Sequence, residues 1–274
     1  MWTAVSGAAA QAQAVDLVAN NLANADTVGF KKDAPSFKEY LATVEREPST
    51  ADIPRGPIRD RDLHPLDGRD QAFVVVDGTH TNFRQGPLRV TNSPLDLALD
   101  GPGFIEVSTP NGARFTRAGS FKLAADGKLV TTDGYPVLAS QAGGLAATPG
   151  AAGAPGDAAR FINLRDRGTN LSVTQAGEIF AGDELVAKLS VTEFTDPAKV
   201  RKVGGSLFEN KDPANIKVAD KTIVRQGVLE GSNVNPIEEM TNLIKANRMF
   251  EQDLKAMKTY SEMMGREAND LGKI

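Results

Sequence analysis

The sequence predicts an α+β fold in which paired, coiled-coil-like N- and C-terminal helices flank a central antiparallel β domain. Three observations predict it. Apolar residues recur alternately four and three apart near the start, the same spacing is sustained for more than four heptads near the end, and short strand-like runs separated by Asn-Gly and Asp-Gly pairs lie between.

The N-terminal helix carries its stripe on Met1, Val5, Ala8, Ala12, Val15, Ala19 and Leu22. Such a narrow, alanine-rich stripe lets a neighbouring helix approach closely but buries little area, so the helix needs partners to be held. Asn24 to Phe30 supplies the turn residues that end it, with Phe30 as an apolar anchor. Residues 1–30 form the expected N-terminal assembly segment. From 31 to 70 periodicity fades, prolines stand at 35, 48, 54, 57 and 65, and an extended connector is expected.

From 71 to 227 strand signals dominate and predict an outer antiparallel β domain. Phe73–Val76 is a β-branched run, and Leu95–Asp100 alternates, predicting leucines on one face and Asp96 and Asp100 on the other. Further strands are expected at 104–107, 114–116, 120–123, 128–131, 171–173, 178–180 and 185–194. Asn111-Gly112, Asp126-Gly127 and Asp133-Gly134 predict type I′ hairpin turns. Residues 142–159 are almost wholly Ala, Gly and Pro and predict a flexible surface loop.

The last segment, 228–274, holds the longest periodic signal. Asn235 offers a capping side chain, Pro236 suits the first helical position, and Glu238 complements the free amides of the first turn. The stripe continues through Met240, Leu243, Asn247, Phe250, Leu254, Met257, Ser261 and Met264 to Leu271. From Pro236 to Leu271 such a helix spans about 54 Å. Ile237 and Ile244 lie off that stripe and predict exposed apolar flank, which normally finds a partner.

Composition narrows the function. The 274 residues carry 31 basic and 35 acidic side chains without a basic block, which argues against nucleic acid as a partner. There is no cysteine, so disulfides, thiolate metal sites and cysteine nucleophiles are excluded. No cleavable signal peptide and no membrane-spanning stretch is predicted. His64 and His80 lack ligand-like spacing, Gly101-Pro102-Gly103 reads as a turn and not a phosphate loop, and Asp96 and Asp100 would stand about 13 Å apart on one strand, too far for paired-carboxylate glycoside hydrolysis. No catalytic residue, metal site or cofactor is predicted.

Three groups of motifs resemble the flagellar rod and hook family of axial proteins. They are Ser6-Gly7, Ala19–Asn24 and Thr27–Lys31 near the start; Gln85–Leu88, Pro94–Ala98, Gly101–Phe104, Phe115–Phe121 and Asp133–Val137 in the middle; and Leu229–Asn235 with Arg248 and Phe250 near the end. Within the family, Val228–Val234 and Thr3–Gly7 are more similar to the proximal rod subunit than to the distal rod or hook subunit. The resemblance implies a structural subunit exported by the flagellar type III apparatus without a cleaved signal, placed in the periplasmic rod of the basal body among copies of itself and neighbouring rod subunits. The rival from another class is a secreted glycan-binding or glycan-cleaving protein. Candidate subunit-assembly residues are Val5, Ala8, Ala12, Val15, Asn20, Asn21, Leu22, Asn24, Gly29 and Phe30 at one end, and Met240, Leu243, Asn247, Phe250, Leu254 and Met257 at the other.

Overall fold

The computed structural model describes residues 2–42, 71–140, 160–165 and 171–271. Helix α1 covers Trp2–Ala23 and helix α2 covers Pro236–Leu271, the latter starting at the proline that the cap signal marks. The chain forms two compact units. The described part of the first comprises 2–20, 34–42, 71–79 and 237–271, and that of the second comprises 21–33, 80–140, 160–165 and 171–236.

In the first unit, strands β1 (Asp33–Ala42) and β2 (Gln71–Thr81) pair as a two-stranded ribbon. The opening of the expected connector is therefore a strand, and residues 43–70, with His64, lie outside the described residues. Its sequence lacks alternation because a lone ribbon need not bury one face: Phe37 is 47% exposed, and Lys38 pairs with Asp77 across the ribbon at 2.9 Å. Pro35 is tolerated because such a strand has an unpaired edge.

The second unit is a set of antiparallel sheets. The largest orders its six strands β13-β14-β6-β5-β12-β15, where β5 is Phe104–Thr109, β6 Gly112–Thr116, β12 Val191–Phe194, β13 Val200–Gly204, β14 Leu207–Asn210 and β15 Ile216–Val218. A three-stranded sheet joins β9 (Leu171–Val173), β10 (Glu178–Ala181) and β11 (Glu184–Lys188). Three two-stranded pairs complete it: β3 (Leu88–Val90) with β17 (Val228–Glu230), β4 (Leu97–Asp100) with β16 (Ile223–Gln226), and β7 (Phe121–Leu123) with β8 (Leu129–Thr131).

Strand β5 is central and covered on both sides, so Phe104–Val107 form an unbroken buried run. Phe104 enters an aromatic cluster with Phe115, Phe194 and Phe208, whereas its neighbours Ile105 and Val107 enter an aliphatic core with Leu97, Leu99 and Leu189. Successive strand residues point to opposite faces, so one strand serves both clusters. Phe104 and Phe208 meet edge to face at 5.5 Å between centroids. Inside this unit Glu106 is buried with Arg160, whose two terminal nitrogens reach its oxygens at 3.2 and 2.5 Å, and Ser190 donates to the same carboxylate at 2.7 Å.

Leu95, Leu97 and Leu99 pack on one core, Asp96 and Asp100 lie outside it with Thr91 and Arg225, and Ala98 between them is buried. Two expectations need correction. The single strand expected at 185–194 is two, because Leu189 and Ser190 carry the chain from the three-stranded sheet to the six-stranded one. The turns stand where Asn-Gly and Asp-Gly place them, but only the glycines have positive φ, at +101° for Gly112, +80° for Gly127 and +87° for Gly134. They are not type I′. Gly127 and Gly134 instead close type I turns to Ala124 and Thr131 and continue as a glycine bulge, a geometry that lets Asp keep ordinary backbone angles. The Ala/Gly-rich loop at 142–159 lies outside the described residues.

Phe208 is fully buried at the centre of the aromatic cluster. Its replacement by Ala is expected to cost about 3–5 kcal/mol and to lower the thermal midpoint by roughly 10 °C, read by calorimetry.

Candidate functional site

The segment leaving α1, the loop before β3, the turn after β6 and the end of β17 with the residues that follow it converge within the second unit. Lys31 and Glu230 meet there although 199 residues separate them. The Lys31 ammonium donates to Glu230 Oε1 at 2.6 Å and to the Arg84 carbonyl at 2.8 Å, and the Gly86 amide donates to the same carboxylate oxygen at 2.9 Å. Arg117 reaches Glu230 Oε2 at 3.3 Å while its guanidinium carbon stands 4.7 Å from the Phe104 ring centroid. All three charged side chains are at most 1% exposed.

Two cations thus share one carboxylate away from water. Burial pushes the Lys31 ammonium below its ordinary 10.5, an effect that Glu230 opposes and neighbouring Arg117 reinforces. Burial likewise lowers Arg117, with Glu230 again opposing. The arrangement depends on the shared carboxylate, since removing the partner of a buried charge costs about 3–5 kcal/mol and Glu230 is the partner of two.

Backbone geometry brings the segment in. Gly29 adopts φ +69° and its amide donates to the Glu230 carbonyl at 2.8 Å. A Cβ on Gly29 would collide with the backbone of Arg117 and Ala118, so the position needs glycine both for its angle and for its closeness. Phe30 follows at 3% exposure, with the Lys202 ammonium 3.5 Å from its ring centroid. Lys202 also donates to the Lys31 carbonyl at 2.8 Å and pairs with Asp33 at 2.9 Å.

Two asparagines act as backbone mimics. Asn21, 1% exposed, donates to the Asp33 carbonyl at 2.8 Å and accepts from the Asp33 amide at 3.0 Å, which ties the end of α1 to the start of β1. Asn233 accepts from the Lys32 amide at 2.7 Å and donates to the carbonyls of Asn82 at 2.7 Å and Arg84 at 3.0 Å. Asn24 accepts from Thr27 at 3.1 Å within the turn, and Asn20 is exposed.

The structure brings Asn21, Gly29 and Phe30 to this joint. The other candidate residues lie along the helices. On α1, Val5 is exposed, Ala8 is buried, and Ala12, Val15 and Leu22 are half-buried. On α2, Leu243, Phe250 and Met257 are half-buried while Met240, Asn247 and Leu254 are exposed. The covered line of α2 runs through Glu239, Leu243, Ala246, Phe250, Asp253 and Met257, one position earlier than the apolar stripe at every second step. Ile237 and Ile244 are 75% and 55% exposed.

The motifs around Lys31, Arg117 and Glu230 carry the family resemblance, but the sequence assigns these three residues no role. The available signal was a single charge set among glycines and apolar residues, as in Thr116-Arg117-Ala118-Gly119 and Leu229-Glu230-Gly231. Nothing in the joint is arranged for catalysis, and among the described residues no cluster of acids and histidines is placed to hold a metal ion. Asp100 is engaged by Arg225 at 2.7 Å, and Asp96 accepts from the Thr91 hydroxyl at 2.7 Å. No described helix is long and apolar enough to cross a membrane.

Gly29→Ala should destabilise the second unit by about 2–4 kcal/mol, from the left-handed angle together with the clash, measured by urea unfolding. Lys31 generates a pH dependence. Between its lowered folded value and 10.5 the unfolded chain holds a proton that the folded chain has released, so stability rises with pH across that window. Unfolding titrations from neutral pH towards 10.5 should show the wild type gaining on Lys31→Met as pH increases.

Family models match three stretches: the flagella basal body rod protein model residues 1–31, the flagellar hook protein FlgE/F/G D1 domain 98–181, and the flagellar basal body rod FlgEFG protein C-terminal model 225–271. Each supplies one member of the buried triad. Over its whole length the chain is similar to flagellar basal-body rod protein FlgG of Borreliella burgdorferi, at 30% identity over 97% of this chain and 96% of the relative. It is 31% identical to FlgF of Caulobacter vibrioides, covering 95% and 92%, and 28% identical to FlgG of Bacillus subtilis, covering 98% and 97%. The chain therefore belongs to the flagellar basal-body rod protein family and is a structural rod subunit, not an enzyme.

Proposed function

We propose that the chain polymerises through its terminal helices into a hollow, torque-transmitting shaft within the flagellar basal body, its neighbours being copies of itself and other rod subunits. The observation that carries this reading is the apolar surface left on α2. Ile237, Met240, Ile244 and Leu254 are 75%, 52%, 55% and 43% exposed along one flank, and Met249, Tyr260 and Met263 are 50%, 56% and 55% exposed along another. Large apolar side chains on both flanks of a helix about 54 Å long are a surface for partner helices.

In this reading α1 and α2 pair as a coiled-coil-like unit, supported by the Gln11 amide reaching the Met249 sulfur at 4.0 Å. Segments 1–30 and 228–274 are the assembly ends, 31–70 a connector and 71–227 the outer domain. The assembly contacts are Val5, Ala8, Ala12, Val15 and Leu22 on α1 and Met240, Leu243, Asn247, Phe250, Leu254 and Met257 on α2. Asn20, Asn21, Asn24, Gly29 and Phe30 complete the assembly residues of the N-terminal end, with Asn21, Gly29 and Phe30 held at the joint. Export through the flagellar apparatus without a cleaved signal, a periplasmic position and the proximal place in the rod complete the proposal. The resemblance of Thr3–Gly7 and Val228–Val234 to the proximal subunit supports that place.

Met240→Asp with Leu254→Asp tests it. Both side chains are exposed, so the purified variant should melt like the wild type while cells carrying it lose rod assembly and swimming. Swimming at the wild-type level would overturn the reading.

A further inference from the structure

We propose that Glu230 makes the docking of the two terminal segments sequential: residues 228–233 settle on the β domain first, and residues 29–33 follow only once they have done so. The inference concerns order of folding and goes beyond the assembly function.

The two segments are not equivalent. Residues 228–233 have attachments of their own to the β domain. Strand β17 pairs with β3, Gly231 donates to the Pro87 carbonyl at 2.8 Å, and Asn233 donates to the Asn82 and Arg84 carbonyls. Their one buried charge, Glu230, meets Arg117, which belongs to the β domain. One carboxylate against one guanidinium is a matched pair, so this docking is complete without Lys31. Arg117 depends on it as well, because its buried Nε finds no hydrogen-bond partner and Glu230 is its neutralising contact.

Residues 29–33 stand differently. Gly29 and Lys31 bond to Glu230, Lys32 bonds to Asn233, and the Asn233 amide donates to the Phe30 carbonyl at 3.4 Å. Their other contacts include the Arg84 carbonyl, which accepts from the Lys31 ammonium, together with Asn21, Thr81, Asn82 and Lys202, and the carboxylate paired with Lys31 is that of Glu230. Docked without Glu230, Lys31 would be a second buried cation beside Arg117 with no carboxylate paired to either, Glu193 acting on Arg117 only as a minor influence. An unpaired buried charge of this kind is strongly disfavoured, and like charges add to the cost. Residues 29–33 therefore dock only after residues 228–233 are in place.

Hydrogen exchange on the purified full-length chain tests this. In Lys31→Met, which keeps the Arg117–Glu230 pair, the amides of Gly29 and Lys32 should exchange at least tenfold faster while Gly231 stays within roughly threefold of wild type. In Glu230→Gln, Gly29 and Lys32 should exchange about a hundredfold faster. Adding Lys31→Met to Glu230→Gln should shrink that second effect, since the obstructing cation is gone. Equal loss of protection at Gly29 and Gly231 in Lys31→Met overturns the proposal, as does wild-type protection of Gly29 and Lys32 in Glu230→Gln or strict additivity in the double variant. If Glu230→Gln does not fold, the Lys31→Met comparison decides alone.

Discussion

A charge taken out of water is tolerable only where its counter-charge arrives with it, and Glu230 is where three distant stretches of this chain meet that requirement. Its carboxylate holds Lys31 from the N-terminal segment and Arg117 from the β domain, both at most 1% exposed. Hydrophobic contact alone would hold these stretches together in many registers. A buried ion set holds them in one, because any displacement leaves a charge uncompensated.

Around this point the packing follows. Gly29 lets the backbone pass against Arg117 and Ala118, Phe30 lies beneath Lys202, and Asn21 and Asn233 complete the backbone bonds that no strand supplies. The β domain offers a stiff seat. Its six-stranded sheet is covered by an aromatic cluster on one face and an aliphatic core on the other, and Arg117 touches the aromatic cluster through Phe104. Residues 29–33 and 228–233 are thus both seated on the same β domain.

The joint was only partly legible in the sequence. Gly29, Phe30 and Asn21 stand out because turn residues and an apolar anchor after a helix have a local meaning. Lys31, Arg117 and Glu230 do not, because each is an ordinary surface residue until its partners are known, and those partners lie up to 199 residues away. The α2 register was obscured for a related reason. Met240 and Leu254 outrank Glu239 and Asp253 in hydrophobicity, yet the side chains at 239 and 253 face the covered side. An apolar stripe need not coincide with the covered side of a helix, because coverage within one chain records only what that chain has at hand.

The sequence by itself determined the features whose causes act within a few residues. These are the presence of both helices, the span of α2 from Pro236 to Leu271, the positions of the three Asn-Gly and Asp-Gly turns and the α+β class. Only the tertiary structure decided the strand order, the division of 185–194 between two sheets, the turn type, the strand in 33–42 and the triad at Glu230. Each of these depends on where the chain returns after a long excursion, and local periodicity carries no information about which returning segment lies alongside.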